Sequence, residues 1–420
     1  MASHGVVVIC PEHRDGSALS LIRDPTGKGR GSAQKSPRIV PYTHLPHTQT
    51  ADVFRARDRQ VRIRLWELGL LVEAIVGLGS GVESLIQANL TGTAADSALQ
   101  QFAGKMDVHE PGKLIWAGHS FGSATIAHLL KLTYYADHPE VASMPDPVFT
   151  PRKDSHIRRL ITDKNPTILL DLWCLPLTSA TFAPVSKLPF PAYADVPTAP
   201  GGTALLAIES ESFYKWTEQM HTTARILSAD PAARVISPTA YERRGSSGAH
   251  LLPEPNVFYV RDSAHLNQSD FGVLFPWMCK KAFGAEQPER AMRLNVRAVL
   301  QHLRANGVAV ARTCADDLVD GAQGESTESG DGVDDDKAIL EQSAHGSIEA
   351  WCWIDTMGMG DKSGLTELEL LSRRKEGEET SEGDDQERQM EAEIEPGLAP
   401  LESEVSVNAV RQTTVGVTAA

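Results

Sequence analysis

The amino-acid sequence predicts an α/β protein built on a mostly parallel sheet with flanking helices. Three observations carry that expectation: short continuous apolar runs that suit strands buried on both faces, amphipathic stretches of helical period between them, and a glycine-bounded serine placed between one such run and a helix start. The run at residues 6–10, Val-Val-Val-Ile-Cys closed by Pro11, is β-branched and reads as a buried strand. Residues 24–52 are rich in Gly, Pro, Ser and Thr and read as a long loop. From Val61 the positions Val61, Leu65, Leu68, Val72, Ile75 and Val76 recur at helical spacing and stop near the glycines at 77–81, which predicts a helix. Residues 113–117, Lys-Leu-Ile-Trp-Ala, form a second strand, followed by a helix starting around Ser123. Three further strand-like runs end in polar residues: 167–170 before Asp171, 204–208 before Glu209, and 256–260 before Arg261. A last helix is expected over 288–305, with Met292, Val296, Val299, Leu300 and Leu303 on one face and Asn306-Gly307 as its stop.

Charge divides the chain in two. Of 55 acidic and 40 basic residues, 27 and 8 lie in 311–420, so that segment carries −19 and residues 1–310 carry +4. The net charge of −15 therefore describes a tail and not the body. A near-neutral body offers no basic face to track phosphates, which argues against nucleic-acid binding. Residues 1–310 suffice for one large core, whereas 311–420 hold Gly/Glu/Ser/Asp stretches too poor in apolar residues to offset the entropy of ordering, and read as a mostly disordered acidic tail. The apolar patch at 348–354, Ile-Glu-Ala-Trp-Cys-Trp-Ile, breaks that pattern and is expected to dock on the body. Five dispersed cysteines, Cys10, Cys174, Cys279, Cys314 and Cys352, show no metal-ligand spacing, so neither a zinc site nor a disulfide scaffold is expected. No apolar run approaches the roughly 18 residues of a membrane span, and no basic segment followed by an apolar one opens the chain, which favours a cytoplasmic protein. Nothing in the sequence addresses oligomeric state.

The chemistry-bearing signal is Gly118-His119-Ser120-Phe121-Gly122 between an apolar strand and a small-residue helix start. In that setting G-x-S-x-G forms a nucleophile elbow, where glycines two residues either side of the serine permit a tight turn and a close strand–helix crossing. A serine near its free pKa is a poor nucleophile and needs a base within reach, itself oriented by a third group. The partners are expected later in the chain, at strand ends, in the order acid then histidine. Asp171 follows the strand at 167–170 and precedes the apolar Leu172-Trp173-Cys174-Leu175-Pro176-Leu177, which would bury its carboxylate; a buried carboxylate needs partners. His265 follows the strand at 256–260 by five residues. His119 lies within the elbow and is expected to point away from the hydroxyl, in a structural role, and His109, His128, His156 and His250 lack a strand-end context.

Several segments together resemble the platelet-activating factor acetylhydrolases of the plasma and intracellular single-chain type, in particular their fungal members. They are Ser3-His4-Gly5-Val6-Val7-Val8 leading to Glu12-His13-Arg14-Asp15-Gly16-Ser17-Ala18, the elbow with Ser123-Ala124-Thr125, and Leu170-Asp171-Leu172-Trp173-Cys174-Leu175-Pro176-Leu177. Ile208-Glu209-Ser210-Glu211-Ser212-Phe213 and Ser263-Ala264-His265-Leu266-Asn267-Gln268-Ser269-Asp270-Phe271 continue the likeness, which spans residues 1 to about 306. The resemblance implies an α/β-hydrolase fold and calcium-independent release of a short sn-2 acyl group, typically acetyl, from platelet-activating factor and oxidised phospholipids. It places Ser120 as nucleophile, Asp171 as the acid orienting the histidine and His265 as general base, with no metal and no cofactor. Two departures stand out: a Pro-rich, basic insertion at about 136–163, and a beginning with one strand before the elbow strand where the fold has about four. The turn supplying the second oxyanion donor belongs to that missing part, so the chain is expected to be N-terminally truncated, with the Phe121 N–H as its remaining donor. Loss of one such donor typically slows reaction by about 10²–10³.

The sequence therefore predicts a carboxylic ester hydrolase acting on phospholipid, with a lipid interface as the candidate place of action, where the apolar Phe275, Trp277 and Met278 serve either docking or core packing. A general short-chain carboxylesterase or polyesterase is the alternative within the enzyme class, because an elbow does not encode the leaving group. A catalytically impaired binding protein is the alternative outside it, and a scaffold acting through the acidic tail rests on charge alone.

Overall fold

The strand-like runs that precede polar residues become the central sheet. Trp116–His119 (β1), Thr167–Leu170 (β2), Leu205–Ser210 (β3) and Asn256–Val260 (β4) lie side by side in chain order and run parallel, and Trp351–Trp353 (β5) adds antiparallel to β4. The structure, a computed structural model, describes residues 1–22, 38–86, 97–245, 248–283, 287–318 and 332–360. Side chains alternate across the strands, as the period of two requires. Leu169, Leu205, Ala207 and Val257 face one core, and Ile168, Leu206, Ile208, Phe258 and Val260 face the other. Ala51–Gly79 (α1) and Phe121–Tyr134 (α2) cover the first face, while Pro288–Ala305 (α3) covers the second through Ala291, Leu294, Ala298, Val299 and Leu303. Leu170 of β2 pairs with Ile208 of β3, and Ser210 pairs with Val260 of β4, so the carboxyl ends of the parallel strands meet along one edge.

Three expectations are corrected. Residues 6–10 form no strand: Val7, Val8 and Ile9 are 49%, 46% and 44% exposed. A β-branched run suits a strand but becomes one only against a ladder partner, and among the described residues none pairs with it. The first helix begins ten residues before Val61, at Ala51, with Thr50 as its N-cap accepting the Val53 N–H. Its early turns escape an apolar-periodicity reading because their buried face carries Arg57 and Gln60, which bond each other at 2.9 Å. Residues Arg38–Val40, read as loop, pair antiparallel with Ser20–Ile22.

Residues 136–163 pack on the body and bury Val141, Val148, Ile157, Leu160 and Ile161. The segment after α3 also packs on it. Arg297 of α3 forms a buried two-point ion pair with Asp336 at 2.8 and 3.1 Å, Trp351 stacks on Phe258, and its indole N–H donates to the Ile339 carbonyl at 2.7 Å. The patch at 348–354 thus supplies the edge strand β5. The stretch at 376–396, read as disordered, lies outside the described residues, as does everything from 361 onward. Among the described residues no helix is long and apolar enough to cross a membrane.

One buried cation makes the core pH-sensitive. Lys131 of α2 is fully buried 5.1 Å from the Phe190 ring centre, and its ammonium has no hydrogen-bond partner among the described residues. Burial pushes its pKa down from 10.5 to about 7. Between those values the unfolded chain binds more protons than the folded one, so the destabilisation is full below about pH 7 and fades as pH rises toward 10.5. Lys131→Met is expected to raise stability by about 2–4 kcal/mol at pH 7, measured by urea unfolding, and by less at pH 9. A gain independent of pH would contradict this account.

Candidate active site

The elbow begins where β1 runs into α2. Ser120 takes φ 55° and ψ −120°, a conformation that side-chain-bearing residues rarely adopt and that surrounding structure must hold. Its N–H donates to the Leu170 carbonyl at 2.9 Å, and its own carbonyl accepts the Ala124 N–H at 3.2 Å. A Cβ on Gly118 would lie 2.5 Å from the backbone of Gly122 and Ser123, so glycine is required there. At Gly122 a Cβ would meet open space. The two flanking glycines, equivalent in the motif, are therefore unequal in the fold.

Asp171, directly after β2, is fully buried with φ 42°, and its N–H donates to the Ile208 carbonyl at 3.0 Å. This turns the carboxylate toward the end of β3. There the Ser210 N–H donates to Oδ1 at 2.5 Å and the Ser210 hydroxyl to Oδ2 at 2.9 Å. Oδ2 also accepts from His265 Nδ1 at 2.8 Å, across 94 positions of sequence. His265 opens a short 3-10 turn, His265–Gln268, whose preceding Ala264 N–H donates to Asn267 Oδ1 at 2.8 Å. That bond fixes where the imidazole enters.

Two aromatic contacts then hold the ring. Phe213 stacks on it at 4.7 Å and 11°, and His119 lies 4.4 Å away on a tilted plane. His119, expected to point away from the hydroxyl in a structural role, is a ring neighbour of His265. Burial, followed by the adjacent His265, lowers the His119 pKa to about 4, so it is neutral at pH 7 and adds no charge beside His265. No hydrogen bond joins Ser120 to His265 among the described residues; contacts of this kind commonly tighten only when substrate is bound. Phe121 is the first residue of α2, so its N–H is one of the helix's orphan donors and lies next to Ser120. Below it, Arg64 sits 4.0 Å from the Phe121 ring centre and binds Asp15 at 2.5 Å, while Arg57 lies 5.0 Å from the Trp173 ring. Sequence reading missed Phe213, Arg57 and Arg64 because their roles arise from contacts between distant segments.

Among the described residues two groups bring three potential metal-ligand atoms within 4.8 Å of one another: His4, Cys314 and Asp317, and His119, Asp171 and His265. In the second group His265 and Asp171 are joined by the Nδ1–Oδ2 hydrogen bond.

A mostly parallel sheet, helices on both faces and a serine elbow at the carboxyl edge define an α/β hydrolase. Residues 1–325 match the family described as platelet-activating factor acetylhydrolase, isoform II, and the chain belongs to that family. It is also similar to a Schizosaccharomyces pombe protein named "Putative phospholipase A2", with 26% identity over 318 residues covering 73% of this chain and 63% of that protein. The chain thus spans less than two thirds of that relative's length. Both names denote hydrolases of phospholipid acyl esters.

The unequal glycines give a direct test. Gly118→Ala is expected to lower thermal stability markedly by forcing the β1–α2 crossing apart. Gly122→Ala, in the first turn of a helix with room for a methyl group, should be neutral or stabilising by up to about 1 kcal/mol. Equal losses in a melting experiment would refute the asymmetry.

Proposed function

We propose that this chain is a serine esterase that hydrolyses the short sn-2 acyl ester of platelet-activating factor-like and oxidised phospholipids without calcium. The observation that carries the reading is the hydrogen bond of His265 to the buried Asp171 at the same sheet edge as the strained Ser120. In the proposed mechanism His265 accepts the Ser120 proton as Oγ attacks the sn-2 carbonyl. Asp171 holds the imidazole so that Nδ1 carries its proton and Nε2 receives the new one, and the imidazolium is stabilised by the carboxylate. The Phe121 N–H and the positive end of α2 stabilise the oxyanion. Collapse of the tetrahedral intermediate passes the proton from His265 to the lysophospholipid oxygen. Water then attacks the acyl-enzyme with His265 again as base, releasing the short acid and restoring the serine.

The assay is release of the sn-2 acetyl group from an ether phosphocholine, with chelator present throughout. Ser120→Ala is expected to abolish turnover, and unchanged turnover would overturn the assignment. A fluorophosphonate probe should label Ser120; failure to label would favour a catalytically impaired binding protein. Faster turnover of a simple aryl acetate than of the phospholipid would favour a general carboxylesterase.

The docking of substrate has its own candidate surface. After the His265 turn, Leu274, Phe275 and Trp277 are 63%, 43% and 66% exposed in one run, followed by Lys280 and Lys281. Apolar residues beside basic ones suit the boundary of an anionic lipid layer. Trp277→Ser is expected to weaken vesicle binding by about tenfold and to leave hydrolysis of a water-soluble ester unchanged. Unchanged vesicle sedimentation would remove this surface from the mechanism.

A further inference from the structure

Behind Asp171 lies a second carboxyl group that the proposed mechanism does not use. Glu209 occupies β3 between Ile208, whose carbonyl accepts the Asp171 N–H, and Ser210, which donates twice to the Asp171 carboxylate. It is 1% exposed, and neither of its oxygens has a hydrogen-bond donor of regular geometry among the described residues. The titratable groups that interact with it are Asp171 after β2 and Cys174 in the turn beyond; Tyr259 is its register partner on β4, and His265 and His119 lie against Asp171. It makes no ion pair among the described residues.

An ionised carboxylate without donors, out of water and next to a second carboxylate, is strongly disfavoured. Burial, then the charge of Asp171, pushes the Glu209 carboxyl well above the ordinary carboxylate range, with only the Leu172 N–H acting the other way. A neutral carboxylic acid removes the conflict, because its O–H is a donor and the neighbouring Asp171 is an acceptor.

We infer that Glu209 is a neutral acid that donates a hydrogen bond to the Asp171 carboxylate and positions it for His265. The inference rests on the reading of Ser120, His265 and Asp171 as a triad. Glu209 touches no reacting atom. It acts by adding a donor to those from Ser210, which locks the carboxylate plane and disperses its charge. With less charge to face, the imidazolium is held less tightly than an unbonded Asp171 carboxylate would hold it. The proton stays on Glu209 throughout.

The test compares the full chain with Glu209→Gln, which keeps a donor but cannot titrate, and Glu209→Leu, which keeps the volume but has no donor. Two readouts are used: the carbonyl stretch of a neutral carboxylic acid in infrared difference spectra at pH 7, and the rate of Ser120 labelling by a fluorophosphonate as a function of pH. The wild-type protein should show the acid band and both variants should lose it. The Gln variant should label within about threefold of wild type. The Leu variant should label about tenfold more slowly, with the acid limb displaced upward by about half a pH unit or more, as expected for one lost charge-assisted hydrogen bond. Absence of the band, or equal slowing of both variants with an unmoved limb, would overturn the inference. If the wild-type chain fails to label at all, the triad reading falls separately. The Glu209–Asp171 bond is then still decided by the acid band, which Asp171→Asn should shift if the bond exists and leave in place if it does not.

Discussion

A carboxylate without solvent contact can persist only where donors surround it, and the pairing of β2 with β3 provides them for Asp171. Leu170 stands opposite Ile208, so the next residue on one strand meets the next two on the other. A shift of one residue in that register would turn Ser210 to the opposite face and remove both of its bonds to the carboxylate. The positive φ of Asp171 is held by the same pairing, since its N–H is bound to Ile208. The position of His265 depends in turn on Asp171. Parallel register, backbone strain and a buried charge thus form one linked arrangement.

Around that centre the rest of the body acts as bracing. Ser120 keeps a rare backbone conformation because Leu170 accepts its N–H and because Gly118 allows α2 to cross β1 closely. Phe213 and His119 hold the imidazole between them, and a neutral His119 does so without repelling an imidazolium. Cations from α1 support the elbow from beneath through the rings of Phe121 and Trp173. These contacts come from separate segments of the body, all within the residues 1–325 that match the family. The pair Arg297–Asp336 and the Trp351–Phe258 stack extend the same body past α3, where composition suggested a tail.

Some of this was legible in the residues and some was not. Continuous apolar runs ending in Asp171, Glu209 and Arg261 marked β2, β3 and β4 because burial on both faces of a parallel sheet leaves a compositional trace. The elbow was legible because its constraints are local. Residues 6–10 carry the same trace but form no strand, since apolar character shows that a segment can be buried and not that a partner is there. The start of α1 was hidden because its buried face carries the polar Arg57 and Gln60, which bond each other inside the protein. Glu209 stood in the sequence as the end of a strand and within a segment of the family resemblance, and its burial against Asp171 depends on a neighbour 38 positions away in the chain.

By itself the sequence determined the alternation of strands and helices, the order of Ser120, Asp171 and His265, and the separation of a near-neutral body from an acidic segment. Each of these is written in short windows of residue type. The tertiary structure decided which strand ends meet, that only Gly118 of the two elbow glycines is sterically required, that His119 and Phe213 flank His265, and that Glu209 stands behind Asp171. Those are relations between distant segments, set by register and close packing, and a linear pattern carries no term for them.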